Sequence, residues 1–313
     1  LAAPAARIND NRITMMFANI GLLLALSLAW ASGYVLIARV DLALPPVTAT
    51  AALTIVASVF LVIGVRGVLR KPLWQTLRQK PWVPLVMAAT AVALPQLATV
   101  AAEDKITPEL STVVGTTVPI LTFLVAMFVL KTTPKRVSSL VGVAIAVAGM
   151  IVFANPETLL SKHAELKGIA IMVAGGVVFV ANGLYAAHRT DELDQYALTV
   201  WIMIFAAIGL SASALMIDGA PKTVPHDRAL IAILAGGVFP MGLAYLLYYR
   251  LLAQAGAAFT SLYAFVVPPF GIAFAAVFAD GDLGLRHLVG IVIVLAGLWL
   301  VMRPGASDAS QQT

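Results

Sequence analysis

The 313-residue chain contains no cysteine, and only 15 of its residues are Asp or Glu. Lack of cysteine excludes a disulfide framework, a thiolate zinc site, an iron–sulfur cluster and a cysteine nucleophile. Charged residues make up 11% of the chain, against about 25% in soluble domains. Hydrophobic residues make up 61%, and the mean hydropathy is +0.96. These values exclude an ordinary water-soluble enzyme and a disordered chain. The 20 Lys and Arg give a net charge of +5. None of them clusters among base-stacking aromatics, so nucleic acid is not an expected partner.

What is abundant is apolar sequence in long runs. A helix needs about 20 mostly apolar residues to cross a bilayer, and ten stretches qualify: 14–37, 45–65, 82–102, 107–130, 136–153, 167–187, 196–217, 228–252, 257–279 and 285–302. The intervals are too short for a soluble domain. The expected fold is therefore an all-α integral membrane protein with ten transmembrane helices, its partners the lipid bilayer and a small-molecule substrate. The first run is full length and lacks a small-residue cleavage pattern, so it reads as a span rather than a signal peptide. Ten spans place both termini on one side. The segments on that side hold 13 Lys and Arg against 7 in the opposite loops, and 5 Asp and Glu against 10. Positive charge stays inside, so both termini are expected in the cytoplasm, in a bacterial-type inner membrane.

The chain also repeats itself. Residues 140–156 read LVGVAIAVAGMIVFANP and residues 288–304 read LVGIVIVLAGLWLVMRP. At an offset of 148, Gly142, Gly149 and Pro156 recur as Gly290, Gly297 and Pro304. At 149, Ser111-Thr112 becomes Thr260-Ser261 and Val118-Pro119 becomes Val267-Pro268. At 150, Ala31-Ser32-Gly33 aligns with Ala181-Asn182-Gly183. The expected layout is a segment 1–13, a first five-helix repeat 14–156, a second 157–304 and a tail 305–313, with segment and tail cytoplasmic. Five is odd, so the second repeat starts on the side opposite the first and is inverted. Inverted repeats are a common construction of secondary transporters, with the substrate near the midplane between the halves.

At this point the chain resembles the drug/metabolite transporter superfamily, specifically its EamA-type ten-helix exporters. The passages that carry the resemblance are LSLAWASGYVLIAR, PILTFLVAMFVL, LVGVAIAVAGMIV with its repeat copy, and AYLLYYRLLAQAGAAFTSLYAFVVPP. Within that family it looks most like the amino-acid exporters, particularly those for aromatic amino acids. Such exporters carry a Glu after the fourth and ninth helices, where this chain has Lys131 and Asp280 or Asp282. No role is carried over for that acid.

No Asp, Glu, Lys or Arg falls in the centre of any span. An ionisable group at bilayer depth is a functional signal. Its absence argues against proton-coupled export of cationic drugs, which needs a buried carboxylate. It argues equally against a phosphate-ester carrier, which needs a buried Lys or Arg. Neutral or zwitterionic cargo remains, moved by alternating access down its own gradient, with aromatic amino acids favoured. No cofactor or metal is expected, and a monomer is favoured.

Polar and aromatic side chains spaced on helical faces supply the candidate substrate-binding residues: Trp30 and Tyr34 in the first span, Gln96 and Thr99 in the third, Asn182 and Tyr185 in the sixth, Tyr245 and Tyr249 in the eighth, and Tyr263 in the ninth. Tyr and Trp combine flat apolar area with a polar tip. The same chemistry builds interfacial belts, which is the reading for Trp82 and Trp299 and a competing one for Tyr248 and Tyr249. For Asn182 and Gln96 the competing reading is an interhelical hydrogen bond. By the repeat, Ser32 is expected opposite Asn182, and Trp30 opposite Tyr185. Pro119 and Pro268 sit at matched places within spans and are candidate hinges. Gly142, Ala146, Gly149, Gly290 and Gly297 read as packing stripes. An intramembrane hydrolase would need a base beside Ser32, and the four His all lie in loops or at helix ends. A catalytic role is not expected.

Overall fold

The computed structural model describes residues 3–41, 43–103, 105–129, 131, 137–154, 166–190, 192–221, 225–278 and 284–302. Pro156, Pro304, His163, Asp280, Asp282 and the tail lie outside these. Among the described residues there is no strand. Span α1 runs as Ala3–Ala31 and Gly33–Asp41, and α2 as Pro46–Val62 widening into the π-helical Ile63–Val68. Next, α3 comprises Trp82–Met87, the π-helical Ala88–Ala93 and Leu94–Glu103. Span α4 comprises Pro108–Gly115, Thr117–Leu124 and Val125–Val129. The single helices α5, Val137–Ala154, α6, Leu166–Arg189, and α7, Gln195–Ile217, follow. Span α8 joins Asp227–Gly236, the π-helical Gly237–Leu243 and Ala244–Thr260. The last two are α9, Tyr263–Phe278, and α10, Leu285–Met302.

Among the described residues, eight spans are long and apolar enough to cross a bilayer alone, and the other two hold shorter apolar stretches, Val113–Phe128 and Tyr263–Phe278. These two lie at matched places, 150 positions apart. Uniform full-length spans were the expectation there, and two local causes shorten them. Thr116 interrupts α4, its N–H bonding the Val113 carbonyl three residues back. Gly256, at φ 76°, breaks the end of α8. That conformation is open to glycine and strained for other residues. The chain then turns at Ser261-Leu262 before α9 starts.

The packing carries the repeat into three dimensions. Helix α5 packs along α10, and α2 along α7. In lipid, helices associate by close packing rather than by hydrophobic exclusion, which favours small residues where they meet. A Cβ on Gly142 would lie 2.7 Å from the Gly297 carbonyl oxygen, and one on Gly149 would lie 2.9 Å from that of Gly290. The repeat maps Gly142 onto Gly290 and Gly149 onto Gly297, so it converts one of these contacts into the other. The two helices are antiparallel about a pseudo-twofold axis. The remaining contacts obey the same exchange. Helix α1 packs on α8 and α9 where α6 packs on α3 and α4, and α2 meets the π segment of α8 where α7 meets that of α3.

We call the end at which α1 begins and α10 finishes the terminal face. Here Lys71, beyond α2, pairs with Asp194 at 2.7 Å, and Lys80 pairs with Glu192 at 3.1 Å. Asp194 also caps α7 by accepting from the Tyr196 and Ala197 N–H groups. Burial opposes ionisation of Asp194. The Lys71 hydrogen bond and charge, with the two N–H donors, outweigh it and hold the carboxyl below its ordinary range. The same hydrogen bond and charge raise Lys71. At the opposite face, Asp218 after α7 accepts from both the N–H and the hydroxyl of Thr48 at the start of α2.

Candidate functional site

Six spans, α1, α3, α4, α6, α8 and α9, converge on an aromatic layer in the middle of the bundle. Trp30 is its hub, with ring centroids 4.3 Å from Tyr263, 5.5 Å from Tyr245 and 5.6 Å from Tyr248. Phe179 continues the layer at 5.4 Å from Tyr248, and Tyr249 lies 5.1 Å from Tyr248 on its other side. All but the 4.3 Å Trp30–Tyr263 approach, which is closer, fall in the range of favourable edge and tilted ring contacts.

Backbone irregularity positions the polar tips. Pro95 has no N–H, so the Ala91 carbonyl, in the π-helical stretch of α3, has no donor four residues on. The Tyr245 hydroxyl of α8 donates to that carbonyl at 3.1 Å. Asn182 Nδ2 donates to the Tyr249 hydroxyl at 3.3 Å, and Thr90 Oγ1 lies 3.3 Å from Asn182 Oδ1. Asn182 thereby ties α6 to both α3 and α8. The Tyr248 and Tyr263 hydroxyls have no hydrogen-bond partner among the described residues. Tyr248 is only 4% exposed.

Two cavities flank this layer. Toward the opposite face lies a chamber of about 160 Å³ between α3, α4 and α6, floored by Phe179 and Tyr263 and walled by Thr99, Val114, Thr117 and Gly175. Toward the terminal face lies a groove of about 460 Å³ at the start of α1, the end of α10 and Phe123. The α8–α9 turn divides that groove from the layer. Ala258, Phe259 and Leu262 face the groove, whereas Ala257, Ser261 and Tyr263 line a void of about 10 Å³ within the layer. A further cavity, of about 560 Å³, lies outside this layer. It runs between α1, α8 and α9, and the exposed Leu28, Phe239 and Phe278 line it.

Of the sequence-derived candidates, the structure brings together Trp30, Asn182, Tyr245, Tyr249 and Tyr263, and it places Thr99 on the chamber wall. Gln96 turns aside, its amide 3.5 Å from the Met241 sulfur. Tyr34 lies outside the layer, 43% exposed, its ring against Gly271 of α9. Tyr185 packs half-buried against the edge of the core. Trp30 meets α8 and α9 rather than Tyr185, and the Ser32 hydroxyl donates to the Ala29 carbonyl rather than facing Asn182. Both pairings fail because α1 and α6 each pack mainly on the other repeat's hairpin. Pro119 and Pro268 are both buried in the short spans.

The interfacial reading of Tyr248 and Tyr249 does not hold, since both are buried at mid-bundle. Trp82 and Trp299 are largely exposed, at 71% and 59%. Sequence reasoning left out Tyr248 and Phe179. The signals were spacing: Tyr248 follows Tyr245 by one turn, and Phe179 precedes Asn182 by one turn. No charged residue lines the layer or the chamber, and no group of three metal-ligating side chains occurs among the described residues.

One solved crystal structure superposes on this chain with a TM-score of 0.73 at 15% sequence identity, covering 91% of this chain and 96% of the other. At that identity the likeness shows the fold alone. No curated protein matches the chain. The sequence profile of the EamA-like transporter family matches twice, over residues 18–155 and 166–303, one match on each repeat. Membrane helices, a duplicated bundle and that double match agree: the chain belongs to the EamA-like transporter family.

Proposed function

We propose that the chain exports small neutral or zwitterionic metabolites, with aromatic amino acids favoured, by alternating access of its two inverted halves. The observation that carries this reading is the aromatic layer itself: buried, uncharged, at the convergence of six spans, with two phenol hydroxyls that have no partner among the described residues. Buried polar groups are normally hydrogen-bonded, so Tyr248 and Tyr263 are suited to receive a polar group from cargo. Trp30 and Phe179 offer faces to an aromatic side chain. With no carboxylate at this depth to trade protons, transport runs down the substrate gradient. A carrier of another neutral metabolite on the same fold is the competing reading. The Lys and Arg bias supports a cytoplasmic terminal face in a bacterial-type inner membrane.

The test is uptake of labelled phenylalanine, tryptophan, threonine and a sugar into liposomes holding the pure protein, with and without a pH gradient. We expect saturable phenylalanine and tryptophan flux that is indifferent to the gradient. Flux of the sugar alone would favour the competing reading, and strict dependence on the gradient would end the uniport claim. Orientation is separable. The chain has no cysteine, so a single one introduced at Gln79 should react from the cytoplasm and one at Ala220 from the other side.

A further inference from the structure

The wall of the 160 Å³ chamber has a one-sided hydrogen-bonding character. The Thr99 hydroxyl spends its proton on the Pro95 carbonyl at 3.0 Å, and the Thr117 hydroxyl spends its own on the Val114 carbonyl. Each oxygen keeps lone pairs and has no proton left to give. Gly115, also on the wall, has lost its usual helical donor because the residue four positions on is Pro119. The Met172 sulfur, which accepts from Ser111, adds a weak acceptor. Phe179 and Tyr263 close the floor, and no lining side chain is a cation. The only side-chain proton donor there without a partner among the described residues is the Tyr263 phenol.

Such a wall discriminates. A carboxylate entering it would face acceptors and a single donor, which leaves most of its lone pairs unsatisfied. An ammonium group would find two hydroxyl oxygens and a thioether sulfur beside two aromatic rings, a setting that accommodates cations. The volume matches a headgroup, since pockets for whole drug-sized ligands run to about 300–1,000 Å³. We propose that this chamber is the amine subsite of the transport pathway. It takes the protonated amine of the cargo, while the ring of the cargo lies on the aromatic layer. The proposal rests on reading the layer as the cargo site. It adds that an amine is required and a carboxylate is not, so aryl-alkyl monoamines are ligands in their own right.

Direct binding to the purified full chain tests this without relying on transport. Phenethylamine, its N-acetyl derivative and 3-phenylpropanoate are titrated by calorimetry at neutral pH. We expect phenethylamine to bind and the other two to bind at least about tenfold more weakly, the loss of one charge-assisted contact. Thr99→Val and, separately, Thr117→Val should each weaken phenethylamine by about three- to tenfold. Thr99→Ser, which keeps the oxygen, should restore most of the affinity. Equal binding of the amine and the acid, tighter binding of the acid, or no amine binding would overturn the proposal. An undiminished affinity in both valine variants would overturn it too. Phenylalanine flux combined with failed amine binding would sink the subsite and leave the exporter reading standing. Amine binding without phenylalanine flux would do the reverse.

Discussion

The two sides of the central aromatic layer are built from equivalent hairpins, α3–α4 with α6 and α8–α9 with α1, yet they are filled differently. At the offset of 149 that aligns Ser111-Thr112 with Thr260-Ser261, Thr99 corresponds to Tyr248 and Val114 to Tyr263. The π-helical segments Ala88–Ala93 and Gly237–Leu243 confirm that register. On the α8–α9 side Tyr248 and Tyr263 line, with α4 and α6, a void of only about 10 Å³. On the α3–α4 side, threonine and valine leave about 160 Å³. The backbone is near-symmetric, and side-chain volume breaks the symmetry.

The strongest way to break the comparison is to erase it. Giving the chamber the bulk of its mate, with Thr99→Tyr and Val114→Tyr together, should remove phenylalanine flux while folded yield persists. Flux near the parent's would show that the chamber lies off the pathway. Next in size is the scaffold. Gly149→Leu forces a side chain into the α10 backbone, and we expect no monodisperse protein on size exclusion. Gly149→Ala should cost about 1–3 kcal/mol in a reversible denaturation assay, because a Cβ there meets the Val294 nitrogen at 2.7 Å.

Smaller effects sharpen the roles within the layer. Tyr245→Phe leaves the Ala91 carbonyl without its donor and should cost about 1 kcal/mol of stability. Tyr248→Phe removes a hydroxyl that bonds no described residue, so it should lower flux at unchanged melting temperature. Melting shifts in the reverse order would mean that Tyr248, not Tyr245, is the structural hydroxyl.

The smallest expected effect is at the terminal face. Asp194→Asn keeps a capping side chain and loses the pairing with Lys71, a small change because the pair is solvent-screened. The native Asp194 carboxyl is lowered, so its contribution is complete above the ordinary carboxylate range and is lost as pH falls through its native value. Lys71 is raised, so its share is lost only above the ordinary lysine range. The melting difference between parent and variant should therefore hold steady at neutral pH and close in acid. A gap that widens in acid would contradict this pairing.

Much of this architecture could be read directly. Apolar runs of membrane length announce themselves, and glycines matched at 148 positions gave the α5–α10 contact its residues before its geometry was known. The breaks were hidden because Thr116 sits in sequence as apolar as its surroundings, and a missing helical bond leaves no trace in composition. Tyr248 was hard to place for another reason. Belt and interior tyrosines have the same chemistry and differ only in depth, which hydropathy does not resolve. Helical spacing set Trp30 with Tyr34 and Asn182 with Tyr185, yet only Trp30 and Asn182 reach the layer, because spacing gives a face and not the neighbour it meets. Pairing Trp30 with Tyr185 went wrong because repeat mates need not touch, and here α1 and α6 are each taken up by a different hairpin. The chamber itself is a difference in volume between two copies, legible in Thr99 against Tyr248 once the register is fixed.

Solute counterflow of labelled phenylalanine at equal pH on both sides of the membrane tests the central claim most directly. Parent liposomes preloaded with unlabelled phenylalanine should accumulate label transiently, and liposomes carrying the doubly filled Thr99→Tyr and Val114→Tyr chain should not. No transient in the parent, or an equal one in the variant, would contradict a carrier whose cargo passes through this uncharged aromatic layer and its open chamber.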